Sequence, residues 1–376
     1  MEVREKEHAP RTLQDDPAGS PEVAIIVLNW NGWRDTLRCL ESLRELTYPN
    51  YLTIIVDNGS WDDSVKRIKA WARDHLVEGQ VLAEYVRSVA SAGGEEGQER
   101  LLENQRSQGR LVLIRTDENL GYCGGNNLGI EYALKKKYPA DYVFLLNNDA
   151  RVEKGSVSHL VAASEETDAG VVGALIKDDT TGEVQCAGYN GSFPLLRQFF
   201  HPFLRWPVPT PGSDKDSWEC FWVTGTAMLI RRDTLQQVYA STGRYLDTRL
   251  FLYGDELEFC CAARKAGYKS VTTRRALVYH GEAKSSGGRY NSIAYYYSSR
   301  NRMLLANTLL PMAWGALFHP KNVMMCLGRV LLNLRHGRYH SARAILSGLV
   351  DGYRGVTGKW KHHDREVLRN LSQRKP

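Results

Sequence analysis

Four short polar clusters follow apolar runs and carry groups able to bind a charged ligand. They are Asn29-Trp30-Asn31-Gly32, Asp57-Asn58-Gly59-Ser60, the stretch from Asn119 to Asn127 (NLGYCGGNN), and Asn147-Asn148-Asp149. The Asp149 carboxylate is a hard oxygen donor, suited to Mg²⁺ or Mn²⁺ bridging phosphates. Asp57 can accept hydrogen bonds from a base N–H or a ribose hydroxyl. A fifth cluster, Asp255-Glu256 with Glu258 nearby, opens an expected helix after the aromatic turn Phe251-Leu252-Tyr253-Gly254. Acids there suit either proton transfer or a helix dipole, and the residues alone leave both open. Any single Asn, Asp or Gly in the other clusters fits a turn or a cap equally well. Turns do not explain four such clusters together, because the opposite ends of the same runs show no comparable richness.

The elements that must position these residues follow from hydrophobic periodicity. VAIIVL (23–28), TIIVD (53–57), LVLIR (111–115) and YVFLLN (142–147) read as strands buried on both faces. Helical spacing follows the first two strands: Leu37, Leu40, Leu43 and Leu46 with Asp35 as cap, then Val65, Ile68, Ala72 and Leu76. NNLGIEYALKKK (126–137) is a third helix. The alternation predicts a doubly wound, mostly parallel α/β sheet. In such a sheet ligands bind beyond the carboxyl ends of the strands, where the clusters lie. Residues 78–110, polar and Gly-rich, read as an inserted mobile excursion. Further on, FWVTGTAMLIR (221–231) reads as one strand and ELEFCCAARKAG (256–267) as a helix ending at Gly267. KSVTT and ALVYH read as short strands, and from about residue 296 the pattern is helical.

Composition narrows the function classes. The chain has 376 residues and a formal charge of +6, unevenly spread. The segment 329–376 holds 11 Lys and Arg against 3 Asp and Glu, a charge of +8, so the remainder carries −2. A near-neutral body excludes a uniformly basic nucleic-acid binder. Seven cysteines without C-x-x-C spacing argue for reduced thiols in a reducing, cytoplasmic compartment. Residues 1–21 are charged, lack the apolar core of a signal peptide, and read as a loose tail. No uninterrupted apolar run is long enough to span a membrane. G-x-G-x-x-G after the first strand and G-x-x-x-x-G-K-[ST] are both missing, which disfavours a Rossmann dinucleotide site or a P-loop.

Taken together, VLNWNG (27–32), VDNGSWDDS (56–64), NLGYCGGNNLGI (119–130), LLNND (145–149), VTGTAMLIRRD (223–233), FLYGDELEFCCAARKAGY (251–268) and VYHGEAKSS (278–286) resemble glycosyltransferase family 2 enzymes of the GT-A fold. The resemblance is to the rhamnosyltransferase-like branch and covers about residues 22–300. It implies a GT-A catalytic domain over 22–295 and a basic helical region over 296–376. It implies that Asn29 and Asp57 line the nucleotide pocket, with Asn31 and Asn148 on the donor side. Asn119, Gly125 and Asn126 would shape the floor under ribose and diphosphate. Asn147-Asn148-Asp149 matches the family's D-x-D metal position with Asn in place of the first Asp. His280 matches a histidine that completes the metal shell in some members, and a neutral imidazole suits Mn²⁺ better than Mg²⁺. Asp255 and Glu256 occupy the family's acidic pair, which supplies the base, with Glu256 favoured by alignment. Trp222, Thr224 and Gly225 lie on the strand used near sugar and acceptor, Trp222 offering an aromatic face or simply a core side chain. Arg289 and Arg300 are candidates to neutralise the diphosphate or to form salt bridges.

The implied activity is inverting transfer of a sugar, rhamnose in this branch, from a dTDP- or UDP-linked donor with divalent-metal assistance. The acceptor would be a hydroxyl of a polysaccharide or lipid-linked glycan. Residues 303–350 alternate apolar runs with Arg and His at helical spacing. That pattern suits either an anionic membrane surface at the inner face or packing on the body or on a second protomer in a homodimer. His362-His363 read as part of a solvated basic tail. Two rival functions are a non-catalytic sugar-nucleotide-binding protein and a membrane-surface adaptor acting through the basic tail.

Overall fold

The computed structural model describes residues 19–76, 82–103, 110–189, 215–281 and 291–372. The strands are β1 (Val23–Asn29), β2 (Tyr51–Asp57), β3 (Leu82–Val86), β4 (Leu111–Arg115), β5 (Tyr142–Asn147) and β6 (Ala150–Val152). They continue as β7 (Val171–Asp178), β8 (Val184–Cys186), β9 (Ser217–Cys220), β10 (Ala227–Arg231) and β11 (Ser270–His280). One sheet runs in the order β3-β4-β2-β1-β5-β10-β7-β11-β6, with β8 on β7 and β9 on β11. From β3 to β5 all pairs are parallel, whereas β10 runs antiparallel between β5 and β7.

Register explains why the polar clusters meet. Asn29 pairs with Asp57, Leu28 with Asn147 and Asp57 with Arg115, so the strand ends form one row. Successive residues of β1 enter different cores: Ala24 and Ile26 face one cluster, Val23, Ile25 and Val27 the other. Both faces are therefore covered, which is why the strand has no polar alternation.

Helices α1 (Trp33–Arg44), α2 (Ser64–His75) and α6 (Ser156–Thr167) supply the second core. Helices α5 (Gly121–Lys135), α7 (Arg232–Thr242) and α8 (Asp255–Lys265) supply the first. Asp35 lies in the first turn of α1 rather than capping it; the cap position is Gly32. The third helix starts at Gly121, five residues before the expected 126, because Gly121 takes φ +77 and admits the chain directly into the helix.

The segment expected as an excursion contains structure among its described residues. β3 pairs in parallel with β4, and α3 (Arg87–Ser91) and α4 (Glu96–Glu103) follow it. The Glu99 side chain is buried and accepts from Tyr85 Oη at 2.7 Å and Tyr132 Oη at 2.8 Å. Polar residues in this stretch thus serve an internal network that composition does not reveal. Of the single strand expected over 221–231 only Ala227–Arg231 forms, as β10; residues 221–226 are a turn, where Trp222 makes an isolated bridge with Tyr189. Conversely, KSVTT and ALVYH form one strand, β11, whose register shifts between Thr273 and Leu277.

The C-terminal helices are α9 (Ser292–Leu309), α10 (Met312–Arg335), α11 (Tyr339–Tyr353) and α12 (His363–Ser372). They share the core: Met303, Leu305, Ala306 and Phe318 belong to the same buried cluster as α5 and α8.

Candidate active site

At the end of β2, Asp57 is 2% exposed. Its Oδ1 accepts from Asn29 Nδ2 and Ser60 Oγ, both at 2.7 Å, and its Oδ2 from the Ser60 N–H at 3.2 Å. Oδ2 keeps acceptor capacity. Thr36 Oγ1 donates to Asn29 Oδ1 at 2.7 Å and in turn accepts from Asn148 Nδ2 at 3.0 Å. Five residues, Ser60, Asp57, Asn29, Thr36 and Asn148, from three strand ends and α1 therefore form one chain of bonds. Asn31, at φ +51, accepts from the Trp61 N–H at 2.9 Å, while its Nδ2 is buried without a partner. An orphaned donor beside Asp57's loop is a place for a ligand acceptor.

Asn119 and Asn58 hold the start of α5. Asn58 Nδ2 donates to Asn119 Oδ1 at 3.1 Å and to the Gly121 carbonyl at 3.0 Å. A Cβ on Gly125 would come within 2.3 Å of Leu28 Cδ1, so glycine there permits close helix–strand packing. Asn126 departs from the expected role. It is 2% exposed and donates to the Tyr122 carbonyl at 3.0 Å inside the helix, so it forms no ligand floor. The sequence places it at a loop end; the earlier helix start turns it inward.

On the metal side, Asp149 Oδ1 lies 3.3 Å from His280 Nε2. Gln185 Nε2 donates to Asp178 Oδ2 at 3.0 Å and to the His280 carbonyl at 3.2 Å, which leaves Gln185 Oε1 as an acceptor. That oxygen sits 3.1 Å from His280 Nδ1 and so orients the ring with Nε2 toward Asp149. Asp178 is held down to about 2 by the Thr181 and Thr180 N–H groups and then by Gln185. Gln185 carries no sequence signal, because it reaches His280 only through the pairing of β8 with β7 and of β7 with β11. Asn147 is half-buried, and its N–H donates to the Thr226 carbonyl at 3.0 Å. Among the described residues no group of three or more His, Cys, Asp or Glu surrounds this point. Asp149 and His280 could supply two ligands to a divalent cation.

The acidic pair stands at the start of α8. Asp255 is 2% exposed with Oδ2 buried and unpartnered; Glu256 is half-buried. Burial, then the Glu256 charge, raises the Asp255 carboxyl well above its ordinary range, and burial raises Glu256. Glu258 is separate: it pairs with Arg244 at 2.8 Å. Tyr122, missed by sequence reading, connects this side to β10. Its Oη donates to the Gly225 carbonyl at 2.7 Å, and burial followed by the charges of Asp255 and Glu256 raises its hydroxyl. Thr224 and Gly225 are half-exposed beside it. Trp222 is not available as a sugar platform: it is 7% exposed and stacked on Tyr189 at 3.6 Å.

The turn before the pair is strained. Phe251, Tyr253 and Gly254 take φ of +63, +67 and +89, and the two non-glycine residues cost about 1–3 kcal/mol each. Arg300 and Asn301 of α9 hold it. Arg300 donates to the carbonyls of Arg249 (3.1 Å) and Leu250 (2.7 Å), and Asn301 to those of Leu250, Leu252 and Tyr253 (3.0, 2.7 and 2.8 Å). Arg300 is fully buried, so it is a clamp and not a diphosphate ligand; Arg289 lies outside the described residues. His363 is likewise not solvated. It is 3% exposed, packs on Trp30 and Phe251 with ring centroids at 5.5 and 5.3 Å, and burial lowers it to about 4.

The sequence and the fold match known proteins. Residues 24–87 and 93–238 match glycosyl transferase family 2. The chain belongs to that family: it is a glycosyltransferase with a GT-A fold. It is 27% identical over 229 residues to an uncharacterized protein of Mycobacterium tuberculosis, covering 59% of this chain and 78% of the relative. It is 30% identical over 191 residues to the N-acetylglucosaminyl-diphospho-decaprenol L-rhamnosyltransferase of Mycobacterium tuberculosis, covering 46% of this chain and 60% of that enzyme. Mannosyltransferase PcManGT from Pyrobaculum calidifontis, solved with GDP-Man and Mn²⁺, superposes with a TM-score of 0.50 at 14% identity over 93% of this chain and 90% of its own.

Proposed function

We propose that the protein transfers a sugar, rhamnose first among candidates, from a nucleotide-diphosphate donor to a hydroxyl of a lipid-linked or polysaccharide glycan, with inversion. The observation that carries this reading is the placement of two different acid sites on the two sides of Gly225-Thr226. Asn147, beside Asp149, bonds to Thr226, and Tyr122, beside the acidic pair, bonds to Gly225. Asp57 and the orphaned Asn31 amide suit the base and ribose. Asp149 and His280 would hold a divalent cation, which when bound supplies charge neutralisation for a departing diphosphate. Support for rhamnose comes from the related L-rhamnosyltransferase.

In this mechanism the acceptor oxygen bonds to the anomeric carbon as the bond to the diphosphate breaks. The electron pair leaves with the nucleoside diphosphate, and the hydroxyl proton passes to Glu256. The pair divides its work by burial. Asp255, deeper and facing the charge of Glu256, keeps a proton, so the less deeply buried Glu256 carries the negative charge and acts as base.

The test incubates the full chain with dTDP-rhamnose, UDP-sugars and GDP-mannose, Mn²⁺ and a prenyl-diphosphate-linked acceptor, and reads the anomeric configuration of the product. Expected is an inverted linkage, lost in Asp149→Ala. A retained configuration would overturn the single-displacement mechanism. Tight donor binding without turnover of any donor would favour a binding protein.

A further inference from the structure

Helix α10 turns an apolar stripe outward. Leu317, Met324 and Leu331, at seven-residue steps on one face, are 58%, 73% and 67% exposed. Phe318, Asn322, Cys326, Val330 and Asn333 form the buried face. The next helix repeats the device: on α11, Leu346, Val350 and Tyr353 are 41%, 45% and 48% exposed, while Ala342, Ile345 and Leu349 are buried. The two helices pack on one another, and α11 packs on α9. An exposed apolar surface continued over neighbouring helices marks an interaction site.

The charge on these helices selects the occupant. The 24 residues of α10 contain no Asp or Glu. Arg335 lies on the same face as the stripe and is exposed, and Arg343 is exposed on α11. Docking a second copy through α10 would bury these cations against a helix without a carboxylate, an uncompensated cost. An anionic lipid surface offers both partners at once: acyl chains for the stripe and phosphates for the cations. No helix among the described residues is long and apolar enough to cross a membrane, so the fitting geometry lies along the surface. At 24 residues α10 is about 36 Å long, enough to lie in the headgroup region as an interfacial helix.

We propose that α10, with α11 beside it, docks this protein on an anionic membrane surface. The proposal is independent of the donor sugar and of the catalytic assignment. It is tested by co-sedimentation of the full chain with phosphatidylcholine vesicles with and without phosphatidylglycerol. Expected is binding to the anionic vesicles that weakens with salt. It should fall at least about tenfold in the double variant Met324→Glu/Leu331→Glu and measurably in Arg335→Glu, with donor turnover in solution unchanged. If the double variant loses its cooperative melting transition, Arg335→Glu alone decides. Equal sedimentation with both vesicle types would overturn the proposal. So would vesicle binding undiminished in the variants. A dimer in sedimentation velocity that the same substitutions dissociate, without vesicle binding, would assign the surface to a second copy instead.

Discussion

The two sides of the crevice are built in different ways. The donor side is made where parallel strands end, and its polar side chains are held by neighbours on adjacent strand ends: Asn29 by Asp57, Asn58 by Asn119, Asn148 by Thr36. The side with the acidic pair rests on a strained turn, and the groups that hold the turn come from α9, some fifty residues later. Strand register alone can build the first. The second needs the helical region folded onto the body, because Arg300 and Asn301 hold the turn that carries the acidic pair.

The sharpest way to break this comparison is at the pair itself. Glu256→Gln should lower kcat by about 10²–10⁴ with the fold intact, because a positioned proton acceptor contributes that range. Asp255→Asn, which preserves a neutral buried group, should cost less. If the Asp255 variant is the more damaged of the two, the base assignment is reversed.

Removing the clamp tests whether α9 holds the acid turn. Asn301→Ala removes the donor to the Leu252 and Tyr253 carbonyls, while Arg300 still reaches that of Leu250, and should destabilise the chain by about 2–3 kcal/mol in chemical denaturation. The equivalent loss on the donor side, Asn148→Ala, removes one bond to Thr36 and should cost about 1 kcal/mol. Equal costs would erase the distinction between the two sides.

Acid reports on the same docking through His363. Its folded pKa, about 4, lies below its ordinary value of 6.5, so the unfolded chain takes up a proton that the folded chain refuses. This contribution is fully present above pH 6.5 and is lost as pH falls toward 4, a difference of about 2–3 kcal/mol. Unfolding measured across that window should show the loss in the wild type, and a flatter profile in His363→Phe. A further effect belongs to the metal side. Gln185→Leu removes the partner that orients His280 and should weaken Mn²⁺ binding about tenfold to a hundredfold, read by titration calorimetry with donor nucleotide present.

Much of the donor side was legible in advance. VAIIVL and TIIVD had to be buried strands, and their ends carry Asn29 and Asp57 because a parallel sheet collects its carboxyl ends in one row. Asn126 and Trp222 were misread because their side chains answer to packing. One points into its own helix, and the other stacks on Tyr189 across a bend that hydropathy alone presents as continuous strand. Residues 78–110 looked like solvent-seeking chain because Glu99 is polar, yet two tyrosine hydroxyls satisfy it inside the protein.

The sequence by itself determined the alternating order of strands and helices, the polar strand ends and the family, since these follow from periodicity and from residue types at fixed local spacing. Only the tertiary structure decided that Gln185 orients the His280 ring, that Arg300 and Asn301 hold the turn before Glu256, and that His363 lies against Trp30. Each joins residues far apart in the chain through buried hydrogen bonds or ring contacts. Local pattern carries no record of which distant carbonyl or ring a buried side chain will meet.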